Sequence, residues 1–158
     1  MSTSTEFTHN LIKGKIAETI FAQMFRESRQ FTVLEFGYEK IIPELIQQGY
    51  SQDNPTVNIL RTAPDFAVID HATSEVRLIE VKYQKQLSPE YVLIDAKRMA
   101  KSWNPSWLFI ATLDGFYFDE VRNIIAITGV MPVFTHPQIG SDTQAKYLRI
   151  LKDFEQGQ

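Results

Sequence analysis

Residues 63–82, APDFAVIDHATSEVRLIEVK, consist of two runs rich in β-branched and aromatic residues joined by the polar turn HATS. This is the pattern of a β-hairpin. Three charged residues, Asp65, Glu80 and Lys82, stand at the outer ends of the runs where apolar residues are expected. If the turn closes with Asp70 across from Glu75, the same register sets Asp65 opposite Glu80. Directly opposed residues hold their Cβ atoms about 4.5–5.5 Å apart, close enough for two carboxylates to share one ion. Side chains alternate with period two. One face then carries Asp65, Ala67, Ile69, Val76, Leu78, Glu80 and Lys82, and the other carries Phe66, Val68, Ile79 and Val81. Both faces are apolar near that end, which predicts central, covered strands.

Two carboxylates in such surroundings repel and lose hydration, so one takes up a proton unless a cation intervenes. A hard divalent cation such as Mg²⁺ suits the pair, with the backbone carbonyl of Val81 as a further oxygen ligand. Lys82 cannot ligate such an ion, but its ammonium can hold the attacking water or stabilise a pentavalent phosphorus centre. The arrangement points to metal-assisted phosphodiester hydrolysis. The competing reading makes Asp65 a turn cap after Pro64 and Glu80–Lys82 an ordinary ion pair on a solvent-facing strand.

Working outward, Ile12, Ile16, Ile20 and Met24, widened by Ala17, Phe21 and Phe25, predict a helix over 10–28 capped by Thr8 or Asn10. A strand follows at 31–37, then a short helix at 39–49, bent or restarted at Pro43 and ended by Gly49. Residues 50–64 have no clear period and read as a rim loop or a short extra strand. Ser88-Pro89-Glu90 is a helix start, and Val92, Leu93, Ala96, Met99, Ala100 and Trp103 mark that helix's buried side. LFIATL is a strand, and NIIAIT with VMPVFTH supplies one or two more. Ser141 or Asp142 caps a last helix with Ala145, Leu148, Leu151 and Phe154 on one side. This alternation predicts a mixed-sheet α/β sandwich in one domain over 1–158, with a core over about 10–113 and C-terminal strands and helix over 121–157.

The chain has 158 residues, is 44% hydrophobic and 12% aromatic, and contains no cysteine. One core is expected, without disulfides, thiolate metal sites or a cysteine nucleophile. The polar start MSTSTEFTHN, and the lack of any run near the roughly 18 apolar residues of a membrane span, predict an unprocessed, soluble, cytoplasmic protein without membrane partners. A formal net charge of -3 excludes an all-round basic coat but permits a local basic patch. Lys85, Lys97, Arg98 and Lys101, with Lys82, form such an excess and are candidate DNA contacts, as is Gln84 at the end of the strand. A solvated helix face would have the same composition. Lys13, Lys15, Arg26 and Arg29 on the first helix offer weaker phosphate contacts. His9, His71 and His136 have no ligand spacing, and Asp114, Asp119 and Glu120 read as loop acids.

Pro64-Asp65, a gap of fourteen residues, then Glu80-Val81-Lys82 resembles the motif of the PD-(D/E)xK nuclease superfamily. The resemblance covers roughly 10–113, is most secure over 62–84, and is nearest in character to small Holliday-junction-resolvase-like nucleases. It implies a restriction-endonuclease-like, three-layer α/β/α sandwich around a central mixed sheet. It also implies Mg²⁺ or Mn²⁺ as cofactor and DNA as substrate, with Asp65, Glu80, Lys82 and Glu18 as catalytic residues. Glu18 enters through GKIAE, since many members carry a first-helix glutamate a few residues after a glycine, and Asp65, Glu80, Val81 and Glu18 become the metal-binding set. Gly14, costly inside a helix, invites the expectation of a close helix–sheet approach. A single small domain covers little DNA, which favours a homodimer or a larger nucleoprotein complex. The alternative is a non-catalytic nucleic-acid- or protein-binding module that retains the fold.

Overall fold

The polar HATS turn folds as the sequence requires. Asp70 Oδ1 accepts from Ala72 N–H at 2.9 Å and Thr73 Oγ1 accepts from Glu75 N–H at 3.2 Å. Ser74 takes the left-handed conformation, φ 62, and Asp70 N–H donates to Glu75 O at 2.9 Å. Strand β2 (Phe66–Asp70) therefore pairs antiparallel with β3 (Val76–Tyr83) in the expected register, Phe66 with Ile79 and Ile69 with Val76. The computed structural model describes residues 4–37, 43–44, 47–49 and 54–157.

Five strands form one mixed sheet in the order β1-β2-β3-β4-β5. β1 (Phe31–Glu35) runs antiparallel to β2, β4 (Trp107–Ala111) parallel to β3, and β5 (Phe116–Glu120) antiparallel to β4. The described helices are α1 (Ser4–Glu27), α2 (Pro55–Arg61), α3 (Pro89–Ala100), α4 (Val121–Ala126) and α5 (Ser141–Gln156). The parallel β3–β4 step needs a crossover, which α3 supplies.

The second half of α1 buries Ala17, Ile20, Phe21, Met24 and Phe25 on one face of the sheet, against Phe66, Val68, Ile79, Val81 and Phe109. Ring packing organises this core: Phe21 stacks on Phe66 at 5.2 Å and meets Phe109 edge-on at 5.0 Å. On the other face α3 and α4 bury Val92, Ala96, Met99, Val121 and Ile124 against Leu108 and Ile110. The α3 start is as expected, with Ser88 accepting from Tyr91 N–H and Pro89 in the first turn.

Several expectations are corrected. The first helix begins at Ser4, so neither Thr8 nor Asn10 caps it; Thr8 Oγ1 instead donates back to Ser4 O within the helix. In its first half Leu11 and Ile12 are exposed. Gly14 has no close neighbour, since an added Cβ would meet nothing within 4 Å. The stretch read as loop or strand contains α2, because Asn54 Oδ1 accepts from Thr56 and Val57 N–H and Pro55 follows at the first helical position. NIIAIT is not a strand. Val121 and Ile124, three apart, are buried against α3 as α4, so packing overrides β-propensity. The last strand is FYFDE, with Phe116 on the Phe109 side, while VMPVFTH makes only isolated bridges through Val133 and His136.

Gly140, not Ser141 or Asp142, occupies the cap position of α5. That helix buries Leu151 with Tyr147 and Leu148 half-covered, and leaves Ala145 and Phe154 exposed. The expectation that both hairpin faces are covered holds only for Phe66, Val68, Ile79 and Val81; Ala67, Ile69 and Leu78 are half-buried and Val76 is exposed. The expected helix over 39–49 lies largely outside the described residues, although Gly49 has the left-handed φ of 87 expected at a helix end.

Candidate functional site

Asp65 is the residue just before β2, and the chain around it fixes its position. Its carbonyl accepts from Phe36 and Gly37 N–H at 2.9 and 3.2 Å, which ties it to the end of β1. Beyond the last β2–β3 pair, Val81 N–H donates to Asp65 Oδ2 at 2.8 Å. The carboxylate thus substitutes for a missing strand partner, with one oxygen anchored on β3.

Continuing the hairpin register by one step brings Asp65 beside Glu80. Glu80 is the one buried charged residue among the described residues, 9% exposed. Burial, then repulsion from Asp65, raises its pKa to about 8. Asp65 is raised to about 6, by burial first and then by the negative charge of Glu18. Of the two acids, Glu80 keeps its proton to higher pH. Three acids from three elements therefore sense one another: Glu18 on α1, Asp65 before β2 and Glu80 on β3.

All three line a cleft of roughly 470 Å³ whose wall also includes Lys15, Arg26, Glu35, Gly37 and Arg61. Lys15 Nζ lies 3.7 Å from Glu18 Oε2. Arg26 donates to Val33 O at 3.1 Å, which fixes the end of α1 on β1. Gly37 approaches closely, because a Cβ there would stand 3.5 Å from Asp65 Cα. The sequence reading missed Glu35 and Arg61. The signal for Glu35 was an acid at the end of a strand, paired with Phe66 and thus next to Asp65 in the ladder; Arg61 fell in the stretch read as loop or strand.

Lys82 shares the Glu80 face as expected, with Nζ 3.3 Å from Glu80 Oε2. It is not among the residues that line the cleft. Arg98 reaches over from α3 to the same oxygen at 3.7 Å and pairs with Asp95 at 3.3 Å. The rest of the basic segment does not gather here. Lys85 is exposed and acts on Glu155, whose pKa is lowered first by its hydrogen bond from Lys13 and also by Lys85. Lys97 and Lys101 are exposed on and just after α3. Gln84, read as a phosphate or water contact, is half-buried and its side-chain oxygen accepts from Ser88 N–H at 2.8 Å, helping to start α3. Asp119 accepts from Glu120 N–H and Asn123 while Glu120 pairs with Arg122, so both serve the β5–α4 junction.

Among the described residues no group of three or more His, Cys, Asp or Glu side chains stands ready to hold a metal ion. Glu18, Asp65 and Glu80 nevertheless offer only oxygen donors, the kind a hard divalent cation takes, and burial with repulsion between neighbouring acids raises the pKa of Asp65 and Glu80. No described helix is long and apolar enough to cross a membrane. A scan against protein-family models and a search of curated proteins both find no match to this chain.

Proposed function

We propose that the protein is a Mg²⁺- or Mn²⁺-dependent nuclease that hydrolyses DNA phosphodiester bonds, built on the restriction-endonuclease-like α/β/α sandwich. The observation that carries this reading is the convergence of Glu18, Asp65 and Glu80 on one cleft, with burial and mutual repulsion raising the pKa of the last two. Helix α1, antiparallel β1, β2 and β3, crossover α3 and β4 follow an order similar to the PD-(D/E)xK core.

Asp65, Glu80 and Glu18 would hold the ion, with the Val81 carbonyl as a further ligand. Bound there, the ion supplies Lewis-acid polarisation of the phosphate and a more acidic water. The protein's residues do the rest. Val81 N–H fixes Asp65 Oδ2 so that the carboxylate need not reorganise. Glu80 holds the Lys82 ammonium near the reacting phosphate. There Lys82 orients the attacking water and offsets negative charge that grows on the phosphate oxygens. A homodimer or nucleoprotein complex would provide the DNA-covering surface that one domain lacks, and the cysteine-free chain suits the cytoplasm.

One observation favours the binding-module alternative. Glu80 already has Lys82 and Arg98 nearby as counter-charges. Incubation with supercoiled, linear, single-stranded and four-way-junction DNA separates the two readings. The nuclease cuts at least one of these with Mg²⁺ or Mn²⁺ and none with EDTA, and Lys82→Ala lowers cutting about 100-fold or more while leaving metal uptake nearly intact. Cutting in EDTA, or equal cutting by Lys82→Ala, contradicts the mechanism.

A further inference from the structure

Two cations, from different elements, approach one oxygen of Glu80: Lys82 Nζ at 3.3 Å and Arg98 Nη2 at 3.7 Å. The sheet register accounts for this. Glu80 and Lys82 pair in parallel with Leu108 and Ile110, on the face that α3 covers, so a long side chain near the C-terminal end of α3 can reach Glu80 within β3. Arg98 does so while its side chain remains 48% exposed. Both of its ion pairs, to Glu80 and to Asp95, use the same terminal nitrogen. A guanidinium has five N–H donors in a planar fork, and this fork suits phosphate oxygens. Lys85, Lys97 and Lys101 make no such approach to the acids.

We propose that Arg98 is a phosphate-contacting residue of this site, donating to a nonbridging oxygen of the same phosphodiester that Lys82 approaches; the assignment rests on the nuclease reading above. Its contacts with Asp95 and Glu80 pre-position the guanidinium beside the acids. A phosphate seated against the acid cluster then meets a cation from β3 and one from α3, and two donors share the charge that grows on it.

The test has a binding arm and a kinetic arm. In the first, a short fluorescein-labelled DNA duplex is titrated by anisotropy in Ca²⁺ over a range of salt concentrations, with wild type, Arg98→Ala, Arg98→Lys and, as a charge control paired with Glu120 instead of Glu80, Arg122→Ala. Arg98→Ala should reduce the salt slope by about 1, and Arg98→Lys should recover most of it because the charge is kept. In the second, with Mn²⁺, Arg98→Ala should lower kcat about 100-fold with a smaller change in KM. Arg98→Lys should recover part of this, and Arg122→Ala should match wild type. If Arg98→Ala keeps the wild-type slope and kcat, or loses only thermal stability, Arg98 is a helix-anchoring residue and the inference is overturned. If wild type itself neither takes up Mn²⁺ nor cuts any DNA, the nuclease reading fails and takes this assignment with it.

Discussion

Asp65 serves both the fold and the site, and pH separates the two contributions. Its Oδ2 satisfies a backbone N–H, while its charge meets that of Glu18 and raises the pKa of Glu80. Folding raises Asp65 from 3.8 to about 6 and Glu80 from 4.5 to about 8. Between pH 4 and 8 the native protein therefore binds more protons than the unfolded chain, and the linkage slope is negative. The contribution of these two groups to stability is best below about pH 4 and falls as pH rises through about 8. Urea melts of the metal-free protein should show this decline, and Glu80→Gln should flatten it and be relatively more stable at the alkaline end. A Glu80→Gln curve parallel to wild type would mean that folding does not raise the Glu80 pKa. The pairing of Asp65 with Glu80 was legible in the sequence because two independent constraints, the HATS turn chemistry and the period of two, demand one register. The Val81 hydrogen bond was not, since a backbone donor orphaned at a ladder's end leaves no mark on side-chain pattern.

At the scale of elements, legibility followed the locality of the signal. Ser88-Pro89 announced α3, and Asn54-Pro55 announces α2 by the same chemistry, a capping side chain followed by a proline at the first helical position. That second signal was hidden by the aperiodic residues around it. The α4 segment could not be identified from NIIAIT alone, because β-branched residues favour a strand until packing of Val121 and Ile124 on α3 decides otherwise. Nor does FYFDE present a strand, since two of its five residues are acids. In α5 the helical period was right and Leu148 and Leu151 face the core as expected, but the buried side is rotated toward Tyr147 and away from Ala145 and Phe154. Gly14 makes a direct test of element energetics. Inside α1 it has a helical φ and no neighbour that a Cβ would strike, so Gly14→Ala should stabilise the protein by up to about 1 kcal/mol, read as a rise in the denaturation midpoint. A lower midpoint would show that this part of α1 is held by something the helix itself does not explain.

For the whole molecule, a net charge of -3 coexists with a cleft whose walls alternate in sign: Glu18, Glu35, Asp65 and Glu80 among Lys15, Arg26 and Arg61, with Lys82 and Arg98 beyond Glu80. The basic run of residues 82–101, which looks continuous in sequence, is divided by the fold. Lys85 is exposed and its charge acts on Glu155, whereas Arg98 pairs with Glu80. Composition shows a local excess of charge, but only the β3–α3 crossover determines which cation joins the acids. The central claim is that these acids are gathered to share one hard cation, and calorimetric titration of the wild type and Glu80→Ala with Mn²⁺ near neutral pH tests it most directly. The account predicts saturable binding with proton release in the wild type, because the ion displaces the proton on Glu80, and no saturable signal in Glu80→Ala. No binding to the wild type, or equal binding to both proteins, would contradict it.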